Sequence, residues 1–235
     1  MADKTKIDWC DATWNPVMGC SRGCWFCYAK ELCRRFGGRK GWPKNFTEPE
    51  FFPERLSLPS KWKKSRRIFV CSMGELFDSK VPTKWTEQIF KEISNNERHR
   101  FLILTKMPSN ARFWIKDLPA GSMMGESIVK YNHDDKSART TFRLNAWPIR
   151  GCDHFISFEP LLGPAAEAID EGTRWVIIGA LTGPHARQPE REWVQEILDR
   201  ADDAGIPVLM KHNLDWPAED RRFEFPPELE RIRNG

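Results

Sequence analysis

Arg67-Ile68-Phe69-Val70-Cys71-Ser72, then Trp85-Thr86-Glu87-Gln88-Ile89-Phe90-Lys91-Glu92-Ile93, then Arg100-Phe101-Leu102-Ile103-Leu104-Thr105: the reading of these three runs decides the fold. The outer two are short and dominated by apolar residues, as buried strands are. In the middle run Trp85, Ile89, Phe90 and Ile93 fall at helical spacing and mark one apolar face. A strand, an amphipathic helix and a second strand make a βαβ unit, whose strands run parallel.

The same rhythm continues outward. Ser109 to Ile115 reads as a short helix, and Ser122 to Val129 as a weaker strand. Asp153-His154-Phe155-Ile156-Ser157-Phe158 and Trp175-Val176-Ile177-Ile178-Gly179 read as strands. Glu190 to Ala204 reads as a helix that stops at Gly205, and Ile206-Pro207-Val208-Leu209-Met210-Lys211 as the last strand. Alternating strands and helices predict an α/β fold with parallel strands. Six or seven such units fit a partial or complete β/α barrel. A flat doubly wound sheet is the alternative, but it usually announces itself by a glycine-rich turn after the first strand, and none is present. Residues 36–64 are rich in Gly, Pro, Lys, Phe and Trp and read as an insertion loop. The charged, Pro-containing residues 217–235 read as a surface tail. With no clear boundary, residues 1–235 are expected to form one domain.

Composition narrows the class. The chain has 235 residues, 40% of them hydrophobic, with 11 Trp and 15 Phe, which is enough apolar material for a full core. Met1-Ala2-Asp3-Lys4 has no apolar run behind it, so no signal peptide is expected. The longest apolar stretch, near Trp175 to Leu181, is too short to span a bilayer. A soluble, cytoplasmic protein with no membrane partner is expected.

Seven cysteines are present: Cys10, Cys20, Cys24, Cys27, Cys33, Cys71 and Cys152. An odd number suits a reducing compartment, where thiols serve metals or catalysis. Four lie between residues 20 and 33. Three of them form Gly19-Cys20-Ser21-Arg22-Gly23-Cys24-Trp25-Phe26-Cys27-Tyr28, a C-x3-C-x2-C spacing. Gly19 and Gly23 permit the backbone angles that a tight wrap needs. Three thiolates can hold three irons of a [4Fe–4S] cluster and leave the fourth open, whereas electron-transfer clusters usually take four cysteines. A zinc site is the other metal reading. It needs four ligands, with Cys33, Cys10 or His133 to complete the set. Free core thiols are a further alternative, but they do not explain three cysteines within eight residues.

With Phe26 as the aromatic before the last cysteine, this loop resembles that of the radical S-adenosylmethionine (SAM) superfamily. Thr13-Trp14-Asn15-Pro16-Val17-Met18-Gly19-Cys20, Ser72-Met73-Gly74-Glu75-Leu76-Phe77, Leu104-Thr105-Lys106-Met107-Pro108 and Ser157-Phe158-Glu159-Pro160-Leu161-Leu162-Gly163-Pro164 follow in order. Together they are similar to the phage Gp37/Gp68 family of radical-SAM-like proteins, over about Lys4 to His212. The resemblance implies a β/α barrel of the radical SAM type, with Cys20, Cys24 and Cys27 as cluster ligands and Phe26 near the adenine of SAM. Ser72, Met73, Gly74 and Glu75 stand where the superfamily holds the SAM amino group, although the Met-Gly-Glu here matches the Gly-Gly-Glu pattern only in part. Glu126 and Ser127 are implied for the SAM ribose or carboxylate. The implied reaction is reductive cleavage of SAM to methionine and a 5′-deoxyadenosyl radical that abstracts hydrogen from an unidentified substrate, with a nucleotide or nucleic-acid base among the options. An external electron donor of the flavodoxin or ferredoxin kind is implied as well.

Strand ends point the same way, because β/α barrels gather catalytic groups at the C-terminal ends of their strands. Past successive predicted strands stand Ser72 to Glu75, Thr105 and Lys106, Glu126, Glu159, Thr182, then Lys211 and His212. Glu159, Lys106, Lys211 and His212 are the candidates for handling substrate. Each also has a bland reading, as a rim ion pair, a solvated charge or a surface histidine.

Lys61-Trp62-Lys63-Lys64-Ser65-Arg66-Arg67 packs five positive charges around a tryptophan, and Arg34, Arg35, Arg39 and Lys40 with Trp42 make a second basic cluster. Basic groups attract phosphates and aromatic rings stack on bases, so nucleic acid is a candidate partner through Lys61–Arg67. With a net charge of only +4, any such face must be local, and a solvated edge is the plainer reading. A zinc-stabilised nucleic-acid-binding module without catalysis is the alternative function.

Overall fold

The computed structural model describes residues 5–129, 153–183 and 185–230. His133 and Cys152, and the last five residues of the expected tail, lie outside them. The chain divides into two compact units, one reaching Met124 and one spanning Gly125–Glu230. The first holds β1 (Ala12–Trp14), β2 (Val17–Met18), α1 (Tyr28–Phe36), β3 (Glu50–Phe51), α2 (Leu58–Lys61), β4 (Arg67–Val70), α3 (Thr83–Ser94), β5 (Arg100–Thr105) and α4 (Pro108–Ala111). The division falls within β6 (Met123–Ser127). The second unit continues with β7 (His154–Phe158), β8 (Thr173–Ile178), α5 (Arg191–Asp203), β9 (Val208–Met210) and α6 (Pro227–Glu230).

The main sheet has the order β1-β4-β5-β6-β7-β8-β9, and β2 pairs antiparallel with β3. The described pairs of the main sheet are parallel. The expected α/β class with parallel strands is therefore observed. The strands follow one another across the sheet in chain order, as in β/α barrels. A doubly wound sheet reverses at a switch point, and this order does not.

In the first unit β4 is buried along its whole length, which explains why Ile68, Phe69 and Val70 run apolar without alternating. β4 pairs with β1 on one side, Ile68 opposite Ala12, and with β5 on the other, Phe69 opposite Leu102. The crossover between β4 and β5 is α3, which buries Thr86, Ile89, Phe90 and Ile93. Burying each of the large apolar side chains contributes about 1.5–3 kcal/mol. In the second unit α5 buries Val194, Ile197, Leu198 and Ala201, again one helical face, against a core with Ile156, Val176 and Val208.

Three segments differ in detail from their sequence reading. The helix expected over Ser109–Ile115 is the single turn α4, followed by a 3-10 turn at Ile115–Asp117. Residues 36–64 are packed and contain β3 and α2. The Arg55 guanidinium is buried there and donates to the carbonyls of Asn15 (2.9 Å) and Gly41 (2.6 Å). The stretch after Trp216 runs along β9: Met210 N–H donates to Arg222 O and Glu224 N–H to Val208 O, while Phe225 and Leu229 are buried. Among the described residues no helix is long and apolar enough to cross a membrane.

Candidate functional site

The first unit assembles the cysteine loop between β2 and α1. Gly19 (φ +106°) and Gly23 (φ +77°) take left-handed conformations, as the wrap requires. Cys27 is the N-cap of α1, and its sulfur accepts from the Lys30 N–H at 3.4 Å. The Cys20 sulfur accepts from the Arg22 N–H at 3.4 Å. Burial pushes the Cys20 thiol up to about 12; the Arg22 N–H pulls it back, while Glu75, Asp78 and Cys24 add to the rise. Burial also raises Cys27, against the Lys30 N–H and with a further push from Cys24. Cys24 is itself buried. Burial thus keeps the Cys20 and Cys27 thiols protonated near neutral pH.

Four side chains given no role in the sequence reading fix this loop and the Ser72–Glu75 turn beside it. Asp78, only 2% exposed, accepts from Ser21 N–H at 2.7 Å and from Ser21 Oγ at 2.8 Å. Asn15 Oδ1 accepts from Met73 N–H (2.9 Å) and Ser72 Oγ (3.2 Å). The Arg22 guanidinium donates to Lys106 O at 2.5 Å, and the Tyr28 hydroxyl donates to Ser72 O. Asn15 carried a signal, since it sits in the quoted Asn15-Pro16 block. Asp78 stands three residues past Glu75 and had none.

Ser72, Met73, Gly74 and Glu75 follow β4 and lie against this loop. Gly19 N–H donates to Met73 O at 3.0 Å, and Glu75 N–H to Gly19 O at 3.1 Å. The Glu75 carboxylate is 6% exposed and is held by three donors: Thr105 Oγ1 (2.7 Å) and Phe77 N–H (3.2 Å) on Oε1, and Lys106 N–H (2.9 Å) on Oε2. Burial raises its pKa, and those hydrogen bonds pull against the rise. Phe26 is half-buried and meets Trp25 edge-to-face at 5.5 Å. The structure thus brings Cys20, Cys24, Cys27, Ser72, Met73, Gly74, Glu75 and Lys106 into one neighbourhood. Cys33 is buried on α1 beside Ala29 and Phe46, and its thiol points to Pro43 O at 3.5 Å.

The second unit holds the remaining candidates. Lys211 Nζ lies 2.5 Å from Glu159 Oε1, and Ser157 Oγ donates to Glu159 Oε2 at 2.7 Å. Both charged side chains are about four-fifths shielded, at 21% and 17% exposure. Ser157, Glu159 and Lys211 therefore meet at the ends of β7 and β9, while His212 is exposed. On β6, Glu126 is half-buried and Ser127 buried.

The basic run 61–67 is divided by burial. Trp62 is 6% exposed with the Arg66 guanidinium 5.1 Å from its ring, so it offers no face to a base. Arg67 is buried against Asp11 (2.7 Å). Lys61, Lys63 and Lys64 remain exposed. Among the described residues no three His, Cys, Asp or Glu side chains are grouped to hold a metal ion.

A family model described as "Protein of unknown function (DUF5131)" matches residues 4–230. No curated protein and no solved structure matches the chain.

Proposed function

We propose that this chain, which belongs to the DUF5131 family of proteins of unknown function, is a radical SAM enzyme with one [4Fe–4S] cluster on its cysteine loop. The observation that carries the reading is the loop itself. Three cysteines within eight residues lie on a backbone turned by Gly19 and Gly23, two of their sulfurs accept backbone N–H groups, and the third, Cys24, is buried. Soft thiolates with N–H donors aimed at sulfur are the setting of iron–sulfur clusters. A cubane takes its thiolates at different irons. It does not ask three sulfurs to converge on one point, as a zinc ion about 2.3 Å from each does.

Cys20, Cys24 and Cys27 would hold the cluster, and Phe26 with Ser72, Met73 and Gly74 would face SAM. When bound, the pair supplies a 5′-deoxyadenosyl radical for hydrogen abstraction. Glu75 has a different part from the one the resemblance implies. Its carboxylate is already held by Thr105, Phe77 and Lys106, so it positions the backbone of Ser72–Gly74 against the loop. Backbone carbonyls there are the stronger candidates to accept from an ammonium group. In the second unit, Glu159 and Lys211 form a shielded ion pair, and we assign them to substrate handling.

Anaerobic purification tests the reading. The protein should be brown, hold about four irons and release 5′-deoxyadenosine from SAM when reduced. Cys24→Ala should abolish both colour and cleavage. Colourless protein with one zinc per chain overturns the proposal in favour of a zinc-stabilised nucleic-acid-binding module.

A further inference from the structure

Charge is divided unevenly along the chain. Residues 1–124 hold 23 Lys and Arg against 13 Asp and Glu, a net +10, whereas residues 125–235 hold 14 against 20, a net −6. Much of the excess lies on α1 and the loop behind it. Lys30, Arg34, Arg35, Arg39, Lys40 and Lys44 are all exposed, and Glu31, paired with Arg34 at 3.0 Å, is the one acid among residues 28–44. Because α1 is capped by Cys27, a rise of 1.5 Å per residue puts Lys30 about 4.5 Å and Arg34 about 10.5 Å along the axis from that thiol. Trp25 (38% exposed) and Tyr28 (51% exposed) stand at the same end, and aromatic residues of this kind are enriched where proteins meet.

Resting on the cluster reading above, we propose that this basic face is the docking surface for an acidic one-electron carrier protein of the flavodoxin or ferredoxin class. One electron leaves the carrier's reduced cofactor and enters the cluster; no bond forms or breaks. A positive face beside the electron's entry point steers a negatively charged partner and raises its rate of encounter, by 10-fold to 1,000-fold on the order of magnitude seen elsewhere. Such encounters use small interfaces, so a patch the length of one helix suffices. A nucleic acid is the other polyanion that the charge would attract, and the exposed rings of Trp25 and Tyr28 would suit its bases, but it brings no electron to a cluster. Phe36, lower on the helix, is covered by the guanidinium groups of Arg35 (5.5 Å) and Arg39 (5.2 Å) and by Trp42 (5.1 Å).

The test uses the full chain, anaerobically reconstituted, with a reduced acidic flavodoxin as probe. In the triple variant Arg34→Glu, Lys40→Glu, Lys44→Glu, bleaching of the cluster absorbance by flavodoxin is expected to slow about tenfold or more at low ionic strength. The difference should close in high salt, and bleaching by dithionite should stay at the parent rate. Lys61→Glu, Lys63→Glu, Lys64→Glu makes the same charge change elsewhere in the unit and is expected to slow flavodoxin little. Parent-like reduction of the first variant, or equal slowing of both, overturns the docking face. An oligothymidylate that binds this face while flavodoxin does not overturns it in favour of nucleic acid. Iron content separates failure of the function reading: a colourless chain refutes the cluster. Docking is then read from flavodoxin anisotropy on the metal-free chain, where loss of binding in the first variant alone supports the face and no binding to the parent overturns it.

Discussion

The backbone of Gly74 lies directly against that of Gly19. The two residues form a parallel bridge, and a Cβ on Gly74 would stand 2.8 Å from Gly19 O and 3.1 Å from Met18 Cα. Because both obstacles are backbone atoms, no side-chain rotation relieves the clash. Gly74→Ala is therefore expected to push the Ser72–Glu75 turn off the cysteine loop and to cost about 1–3 kcal/mol, as overpacking does. Urea denaturation measures the cost, and iron content after reconstitution measures the effect on the loop. A variant as stable and as iron-replete as the parent removes the argument.

Glu75 joins the turn after β4 to the end of β5, and its charge matters less than its capacity to accept. Oε1 takes Thr105 Oγ1 and Phe77 N–H, and Oε2 takes Lys106 N–H. In Glu75→Gln the amide oxygen can serve only one side, so an NH2 group must oppose a buried donor. That mismatch costs about 1–3 kcal/mol and should lower the thermal midpoint even in metal-free protein. If stability holds while SAM cleavage falls, Glu75 touches the cofactor directly and the positioning role is wrong.

The central βαβ unit was legible because β4 is buried along its whole length, β5 at four of its six positions and α3 on one face. Hydrophobic pattern reports burial, so β5 came out residue for residue as Arg100–Thr105. The tight wrap of the cysteine loop was legible because Gly19 and Gly23, where the backbone takes positive φ, stand in it. What escaped was long-range. Asp78 reaches Ser21 across 57 residues and Asn15 reaches Met73 across 58, and no local pattern marks a side chain for such a contact. Glu75 was found at its strand end, but its three donors come from the folded backbone. The stretch after Trp216 looked like a solvated tail because it is charged, yet its backbone pairs with β9 and its two apolar anchors, Phe225 and Leu229, go inward.

Cys33 offers a clean contrast to the loop cysteines. It sits beside Cys20 and Cys27 in the same small core, but its thiol is directed to Pro43 O. Cys33→Ala is expected to keep the full iron content and lose about 1 kcal/mol of stability through one weak hydrogen bond and a small cavity. Metal analysis of Cys33→Ala beside Cys24→Ala decides the matter. Loss of metal from the Cys33 variant would make it a fourth ligand and revive the zinc reading.

Neutralising the basic run 61–67 should separate structure from surface. Arg67 Nε and Nη2 bind both oxygens of Asp11, and the Arg67 side chain is 5% exposed. Asp11→Ala strands a buried guanidinium and is expected to cost about 3 kcal/mol or somewhat less, since Asp11 itself is partly exposed. Lys63→Gln and Lys64→Gln, both at exposed positions, should stay within about 0.5 kcal/mol of the parent. Chemical denaturation of the three proteins reads both effects. Equal stabilities across the set would show that the Asp11–Arg67 pair is worth no more than a surface contact.

His99 sets a pH dependence that the sequence did not announce. Its ring is buried between Trp62 and Phe101, both edge-to-face at about 6 Å, and Nε2 donates to Pro59 O at 2.9 Å. Nδ1 has no hydrogen-bond partner, so the neutral ring fits and a second proton would be buried without an acceptor. Burial lowers its pKa first, against the favourable pull of Pro59 O and with the charges of Arg98 and Arg66 adding to the fall. The unfolded chain therefore binds this proton more readily than the folded one below the ordinary value of 6.5. Linkage gives the sign: the contribution is complete above 6.5 and is lost as pH falls toward the depressed folded value. His99→Gln keeps a donor for Pro59 O and cannot titrate. Carboxylates titrate alike in both proteins and cancel in the comparison. Between pH 7.5 and about 5, urea midpoints of the parent should fall more steeply than those of His99→Gln. Parallel pH profiles would mean that His99 is protonated in the fold, and that Nδ1 finds an acceptor there.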